Sequence, residues 1–94
     1  MAITARTNQQ TTTGTATQLY GDDNNRVFVS IKNTSVTAGN IVQITGSTGV
    51  TGNAHTLGPG DHVEIPSPAA AAAVYILDAG STHVVCSYVE FVQV

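Results

Sequence analysis

Charged side chains are scarce in this sequence. Three basic residues stand against six carboxylates, so 10% of the residues are charged and the net charge is −3, whereas a typical globular domain has about a quarter of its residues charged. A chain with so little positive charge has no electrostatic footprint for a phosphate backbone, and we expect no nucleic-acid partner. The uncharged polar surface that remains is suited to burial against other protein.

Cysteine, tryptophan and long apolar runs are also rare or missing. Cys86 is the single cysteine, which excludes an intrachain disulfide, and its apolar neighbours predict a buried, unreactive thiol. No stretch approaches the roughly 20 apolar residues of a membrane helix, and the N-terminus lacks the pattern of a signal peptide. We therefore expect a protein made in the cytoplasm, with no membrane contact.

Motifs for catalysis are missing as well. The sequence has no Gly-x-Ser-x-Gly elbow, no phosphate-binding glycine pattern and no zinc-ligand spacing. His55, His62 and His83 would form a metal site only if the fold brought them together, as in a small cupin-like oxygenase, and this is the enzymatic alternative. The sequence otherwise predicts no catalytic residue, no metal site and no cofactor.

The N-terminal segment, by contrast, is rich in threonine. Residues 1–18 contain seven threonines and very few apolar side chains, a composition that tolerates β-structure but cannot fold alone. We predict that residues 1–11 form an extended arm, whose ordering entropy is recovered only by docking on another surface. About ten residues would reach about 35 Å at roughly 3.3 Å per residue.

From residue 12 onward, apolar and polar residues alternate with a period of two, and residues 12–94 are predicted to form one β-domain. The fold class is all-β: a single small antiparallel β-sandwich or barrel, jelly-roll-like, with about seven short strands. The clearest predicted strands are Thr12–Tyr20, Arg26–Asn33, Ile41–Thr45, His62–Ile65, Ala73–Asp78 and Thr82–Val94.

Several local features follow from the same pattern. The stretch 46–56 is predicted to be a loop, and Pro59 followed by Gly60 predicts a type II turn. The five alanines from Ala69 to Ala73 allow at most one helical turn, and the length of the last strand suggests a bulge. Alternation places Arg26 on the outer face of its strand. The predicted core consists of Val27, Val29, Ile31, Ile44, Val63, Ile65, Ile76 and Val85.

The order of these features resembles a known group of proteins. A threonine-rich start, the segments 15–19 and 25–34, the Leu-Gly-Pro-Gly-Asp turn at 57–61, the segment 73–76 and a strand running to the C-terminus follow one another. This layout is similar to the small β-sandwich virion proteins of tailed bacteriophages, among them capsid decoration or cement proteins. The resemblance implies a structural protein that binds the outer surface of an assembled capsid as a homo-oligomer, either a dimer or a trimer.

The resemblance and the arm together give the functional expectation. The arm and sheet edges would clamp neighbouring subunits of the major capsid protein by adding a strand to an exposed sheet edge, on the capsid surface of the virion. The alternative is a phage tail, fibre or connector component, including a module that binds glycans. The residues expected to make the arm contact are Ile3, Thr4, Arg6, Thr11, Thr12 and Thr13.

Overall fold

The computed structural model describes residues 2–13, 15–46, 55–78 and 83–94, and these form eight strands and one 3₁₀ turn. The predicted all-β antiparallel fold is confirmed, and of the two predicted alternatives, sandwich and barrel, the chain forms a sandwich of two sheets. The strands are β1 (Ile3–Thr11), β2 (Thr17–Tyr20), β3 (Arg26–Asn33), β4 (Val42–Thr45), β5 (His55–Leu57), β6 (His62–Pro66), β7 (Val74–Asp78) and β8 (Val85–Gln93).

The strands are divided equally between the two sheets. Sheet A has the order β1-β8-β3-β6 and sheet B has the order β2-β7-β4-β5, with every neighbouring pair antiparallel. The chain enters sheet A with β1 and crosses to sheet B at β2. The N-terminal and C-terminal strands therefore lie side by side at one edge of sheet A.

The core lies between the two sheets and is built from alternate residues of their inner strands. Val29, Ile31, Val42 and Ile76 are fully buried, and each such side chain stabilises the fold by about 1.5–3 kcal/mol. The remaining members of the core cluster are Leu19, Tyr20, Ile44, Leu57, Val74, Val84, Cys86 and Tyr88, with Val63 and Ile65 packed against it.

A β-bulge in β3 corrects the predicted orientation of Arg26. The pairing of β3 with β8 shifts between Arg26 and Phe28, which makes Val27 the extra residue. As a result Arg26 turns inward and is 4% exposed, while Val27 is only partly buried. The prediction of an outward Arg26 was wrong because strict alternation cannot include an inserted residue.

The face of the last strand also differs from the prediction. Val85 is 37% exposed, whereas Val84 and Cys86 on either side of it are buried, so Val85 does not belong to the core. No bulge interrupts β8, whose nine residues pair in continuous register with β1. The irregularity expected in the last strand lies instead in the neighbouring strand β3.

Turns and short elements agree more closely with the sequence, with two exceptions. Gly60 has a φ of +80° and the Asp61 N–H donates to the Gly58 carbonyl, as the predicted type II turn requires. A single 3₁₀ turn covers Ala69–Ala71. The strand predicted from residue 12 begins only at Thr17, and β5 occupies the end of the predicted loop 46–56. Residues 47–54 of that loop lie outside the described part of the chain.

Candidate functional site: the N-terminal strand and its ion pairs

Strand β1 lies at the edge of sheet A with every side chain exposed. Its nine residues pair with β8 from Ile3 opposite Gln93 to Thr11 opposite Val85, yet none of them is buried. The segment predicted to be an extended arm is therefore a full-length strand of this sheet. Both of its faces are open to solvent, so β1 is held mainly by backbone hydrogen bonds and by one set of ion pairs.

Those ion pairs form a cluster of four side chains, which we call the Arg6 cluster: Arg6, Asp23, Arg26 and Glu90. Nε of Arg6 lies 2.8 Å from Oε1 of Glu90, and Nε of Arg26 lies 2.7 Å from Oε2 of the same carboxylate. Nη2 of Arg6 also donates to Oδ2 of Asp23 at 3.0 Å. Two positive and two negative charges thus balance, which is what a partly buried set of charges requires.

Arg26 is the buried end of this cluster, and its two terminal nitrogens donate to backbone carbonyls. Nη1 donates to the carbonyl of Ala70 and Nη2 to the carbonyl of Gly21, each at 3.0 Å. The guanidinium lies 4.2 Å from the centre of the Tyr20 ring, in a cation–π contact. Burial raises the pKa of Tyr20 to about 12. Arg26 and Glu90 are therefore part of the folded body, independent of β1.

Asp23 connects the cluster to the turn before β3. Its Oδ1 accepts the N–H of Asn25 at 2.9 Å, and that bond, with a further contribution from the Arg6 guanidinium, lowers the pKa of Asp23 below its usual value. The carboxylate therefore stays ionised and available to Arg6 across the neutral pH range. Arg6 is the one member of the cluster that β1 supplies.

The base of β1 is fixed by a second, buried set of hydrogen bonds around Thr12. This residue is 0% exposed; its hydroxyl donates to Oδ2 of Asp78 at 3.2 Å and accepts the N–H of Val84 at 2.9 Å. Nδ1 of His83 lies 3.1 Å from the same Asp78 oxygen. The chain is thus anchored by buried groups where it leaves sheet A, whereas none of the nine residues of β1 before Thr12 is buried.

The predicted contact residues separate into two groups. Ile3, Thr4, Arg6 and Thr11 lie on the exposed strand β1, and Thr13 is exposed just after it. Thr12 is buried within its own domain, and its hydroxyl hydrogen bonds assign it to anchoring the arm rather than to an outer surface.

Sequence reasoning missed Glu90, although its position contained a signal. Glu90 has the same parity as Cys86, Tyr88 and Val92 along β8, and these three are buried. A carboxylate at an inward position of an alternating strand needs a cationic partner, so alternation alone predicts an arginine nearby. The identity of that arginine could not be found, because the bulge in β3 conceals the inward position of Arg26.

Other candidate sites are less complete. Among the described residues, no three histidine, cysteine or acidic side chains are grouped to hold a metal ion, and His55 and His62 are exposed. An open groove of about 460 Å³ runs beside His83, which is the titratable side chain in its described lining. No helix in the described part of the chain is long and apolar enough to cross a membrane.

The aromatic residues pair with one another. Tyr20 and Tyr88 pack in the core with ring centroids 5.2 Å apart. Phe28 and Phe91 are 5.8 Å apart and partly buried on the outer face of sheet A. The strand register places Ala5 beside Phe91 and Pro66 beside Phe28, which makes an apolar row across all four strands of this sheet.

Comparison with known proteins gives a similar fold and no family. A scan against protein-family models and a search of curated proteins find no match. A solved structure described by the words "Bacillus endospore appendages form a novel family of disulfide-linked pili" is similar to this chain with a TM-score of 0.60 and 19% sequence identity. The similarity covers 99% of this chain and 88% of that one, and it shows a shared fold.

Proposed function

We propose that this protein is a structural subunit that binds neighbouring proteins in a large ordered assembly through strand β1 and the sheet edges. The observation that carries the proposal is a nine-residue edge strand whose side chains are all exposed. The assembly we propose is the capsid of a tailed phage, in which the chain binds the outer surface of the major capsid protein and stabilises the shell. The resemblance in sequence layout supports that choice.

The outer edge of β1 is open to strand addition. Natural edge strands are usually short or protected by charge, proline or a bulge, but β1 has nine residues, no proline, a single charged residue and unbroken pairing with β8. The Gln9 N–H donates to Oδ1 of Asn8 at 2.8 Å, and the other outward backbone groups of β1 offer a template on which a neighbouring strand can pair. An edge of this kind is disadvantageous in a solitary protein and useful in an assembly.

The topology of both sheets also favours repeated association. Each sheet has four antiparallel strands, so its two edge strands run in opposite directions. Copies related by translation would therefore bring antiparallel edges together, β6 of one copy beside β1 of the next. A head-to-tail contact of this type does not close on itself and builds extended lattices or fibres. The apolar row on sheet A reaches both of these edges.

The second candidate function is a fibre subunit, and the similar fold of the Bacillus appendage protein favours it. That protein is described as belonging to disulfide-linked pili. The single cysteine of this chain, Cys86, is 0% exposed, and burial raises the pKa of its thiol to about 11. A fibre built from this chain would accordingly be held by strand pairing rather than by a disulfide through that thiol.

Deletion of residues 2–11 tests the proposed function. The full-length protein and the truncated variant are each mixed with heads of the phage that encodes the chain and pelleted, after circular dichroism has shown that both are folded. Full-length protein is expected in the pellet and the variant in the supernatant. Equal binding of the two would show that β1 does not make the contact. If neither binds heads but the full-length protein alone forms fibres, the second candidate function is correct.

A further inference from the structure

We infer that β1 exchanges between copies of this chain, so that β1 of one copy pairs with β8 of another and Arg6 binds the partner's Glu90 and the partner's Asp23. This inference rests on the proposed function, because it names the acceptor that β1 finds within a homo-oligomer. It is carried by three features of the described residues: the exposure of β1, the charge left on the body without it, and the anchor at Thr12.

The first feature is that β1 detaches without exposing a core. All nine of its side chains are already exposed, and Ile3, the largest apolar one, is 56% exposed. Removing β1 from β8 therefore costs the backbone pairing, the contacts of Arg6 and the contact of Ala5 beside Phe91, but it takes no buried side chain out of the core. Exchange of such a strand conserves every contact, since an identical β1 replaces the one that left.

The second feature is the binding site for Arg6, which remains in place on the body when β1 leaves. Arg26 holds one oxygen of Glu90 at 2.7 Å from inside the body, while the other oxygen of Glu90 and the carboxylate of Asp23 face the position of Arg6. Without Arg6, the charges of Arg26, Glu90 and Asp23 leave a net charge of −1 at the vacated edge. Such a site attracts a cationic side chain.

The residue that fits this site occurs once in the chain at the required position. The three basic residues are Arg6, Arg26 and Lys32; Arg26 is part of the acceptor, and Lys32 is exposed on β3, where it pairs with His62 and Ser87. A strand that fills the vacated edge must bring an arginine opposite Glu90 and uncharged residues at its other eight positions along β8. Strand β1 of a second copy has the same sequence and therefore meets both conditions.

The third feature is the anchor that sets where exchange begins. Thr12 is held by Asp78 and Val84, and the Thr13 carbonyl accepts the N–H of Asp78 at 3.1 Å. The segment up to Thr11 can therefore swing away while the body keeps its structure. Nine extended residues span about 30 Å, which is enough to cross to the β8 edge of an adjacent copy held in a lattice, where local concentration is high.

Cross-linking between two variants that each carry one introduced cysteine tests the exchange. Thr7 and Val89 lie opposite each other on β1 and β8, so a Thr7→Cys chain labelled with ¹⁵N is mixed with an unlabelled Val89→Cys chain at high concentration and treated with a short bis-maleimide. Circular dichroism first confirms that each full-length variant is folded. The expected result is a heterodimer in which mass spectrometry finds position 7 of the labelled chain joined to position 89 of the unlabelled one.

The matched control pairs Thr7→Cys with Thr56→Cys. Thr56 is exposed on β5 in sheet B, so neither the exchange of β1 nor an edge contact between β6 and β1 brings these positions together. We expect the Thr7–Val89 link to exceed the control by about tenfold, the ratio that about 1.4 kcal/mol of preferred pairing gives. Equal yields in the two mixtures would overturn the exchange. If that result accompanies loss of assembly on deletion of residues 2–11, the proposed function stands and only its acceptor is wrong.

Discussion

The carboxylate of Glu90 joins two arginines that occupy different environments. Arg26 has a side chain that is 3% exposed, whereas that of Arg6 is 52% exposed. A charge buried without its partner is costly, while an exposed ion pair contributes little because water and salt screen it. Arg26 therefore maintains the fold, and Arg6 is free to serve in recognition at small cost to stability.

Parallel substitutions of the two arginines separate these roles. Arg26→Met leaves Glu90 buried without its inner partner, and we expect it to lower the free energy of unfolding by about 3–5 kcal/mol. Arg6→Met should lower it by less than about 1 kcal/mol. Urea unfolding followed by circular dichroism measures both values. Similar losses in the two variants would show that the Arg6 cluster does not divide into a buried and an exposed half.

Cys86 gives the protein a defined sensitivity to alkaline pH. Burial raises the pKa of its thiol from 9.0 to about 11, so between these values the folded state keeps a proton that the unfolded state releases. Stability is fully present below pH 9 and falls as pH rises. At about 1.4 kcal/mol per pH unit, the loss by pH 10.5 is about 2 kcal/mol.

Cys86→Ala isolates this effect from other titrating groups. Tyr20, whose pKa is raised to about 12, loses its contribution above pH 10 in both proteins. We expect the urea unfolding free energy of the native protein to drop about 2 kcal/mol more between pH 8 and pH 10.5 than that of the alanine variant. An equal drop in both would mean that the thiol ionises as readily in the folded protein as in the unfolded one.

At the scale of elements, the structure divides the chain at Thr12 into an exposed strand and an anchored body. Thr12→Val keeps the shape of the side chain but leaves the Val84 N–H without its acceptor and removes the donor to Asp78. We expect a loss of about 1–3 kcal/mol in the free energy of unfolding. Thr11→Val is the control, since Thr11 is exposed on β1, and should change stability by about 0.5 kcal/mol or less. Equal effects of the two substitutions would show that the Thr12 hydroxyl does not anchor β1.

Removal of the whole strand makes the complementary prediction. A variant without residues 2–11 should keep a cooperative unfolding transition and lose about 1–2 kcal/mol, because backbone hydrogen bonds of an exposed edge are largely offset by the entropy of ordering it. Thermal unfolding by circular dichroism measures the change. Loss of the cooperative transition would mean that β1 is essential to the body, and the strand would then be unsuited to exchange.

Elements of the fold were predictable where side chains alternate without interruption. The faces of β4 and β6, the turn at Gly60 and the single helical turn in the alanine run follow from local chemistry. The orientations of Arg26 and Val85 do not follow from local chemistry. One inserted residue in β3 reverses the face on which Arg26 lies, and which residues of β8 point inward is determined only by its pairing with neighbouring strands. The docking of residues 3–11 on β8 joins positions more than 70 residues apart, which no local pattern encodes.

In the candidate site, too, single residues were predictable from the sequence, whereas the contacts between them depend on the fold. Arg6 was identifiable as a lone charge in a polar segment, and Glu90 carries a signal in its inward parity along β8. Their meeting with Arg26 and Asp23 depends on the register between β1 and β8 and on the bulge in β3. The sequence therefore identifies the chemistry of the arm, and the fold supplies the surface to which it binds.

For the whole molecule, the low charge and the open sheet edges both favour association between copies. A net charge of −3 with one charged residue in ten gives weak repulsion between copies, and each four-stranded sheet ends in edges of opposite direction. Such a molecule gains by association: backbone groups at the edges find partners, and the apolar row on sheet A is covered. The exposed β1 is the feature that links these properties to a structural role.

The central claim is that β1 contacts a neighbouring chain in the assembly that contains this protein. A reconstruction of that assembly by electron cryo-microscopy, at a resolution that traces residues 2–13, tests it most directly. The account predicts that residues 3–11 form backbone hydrogen bonds with a neighbouring polypeptide, through the outer edge of β1 or through β8 of a second copy. Residues 3–11 paired only with their own β8, with no other chain in contact, would contradict it.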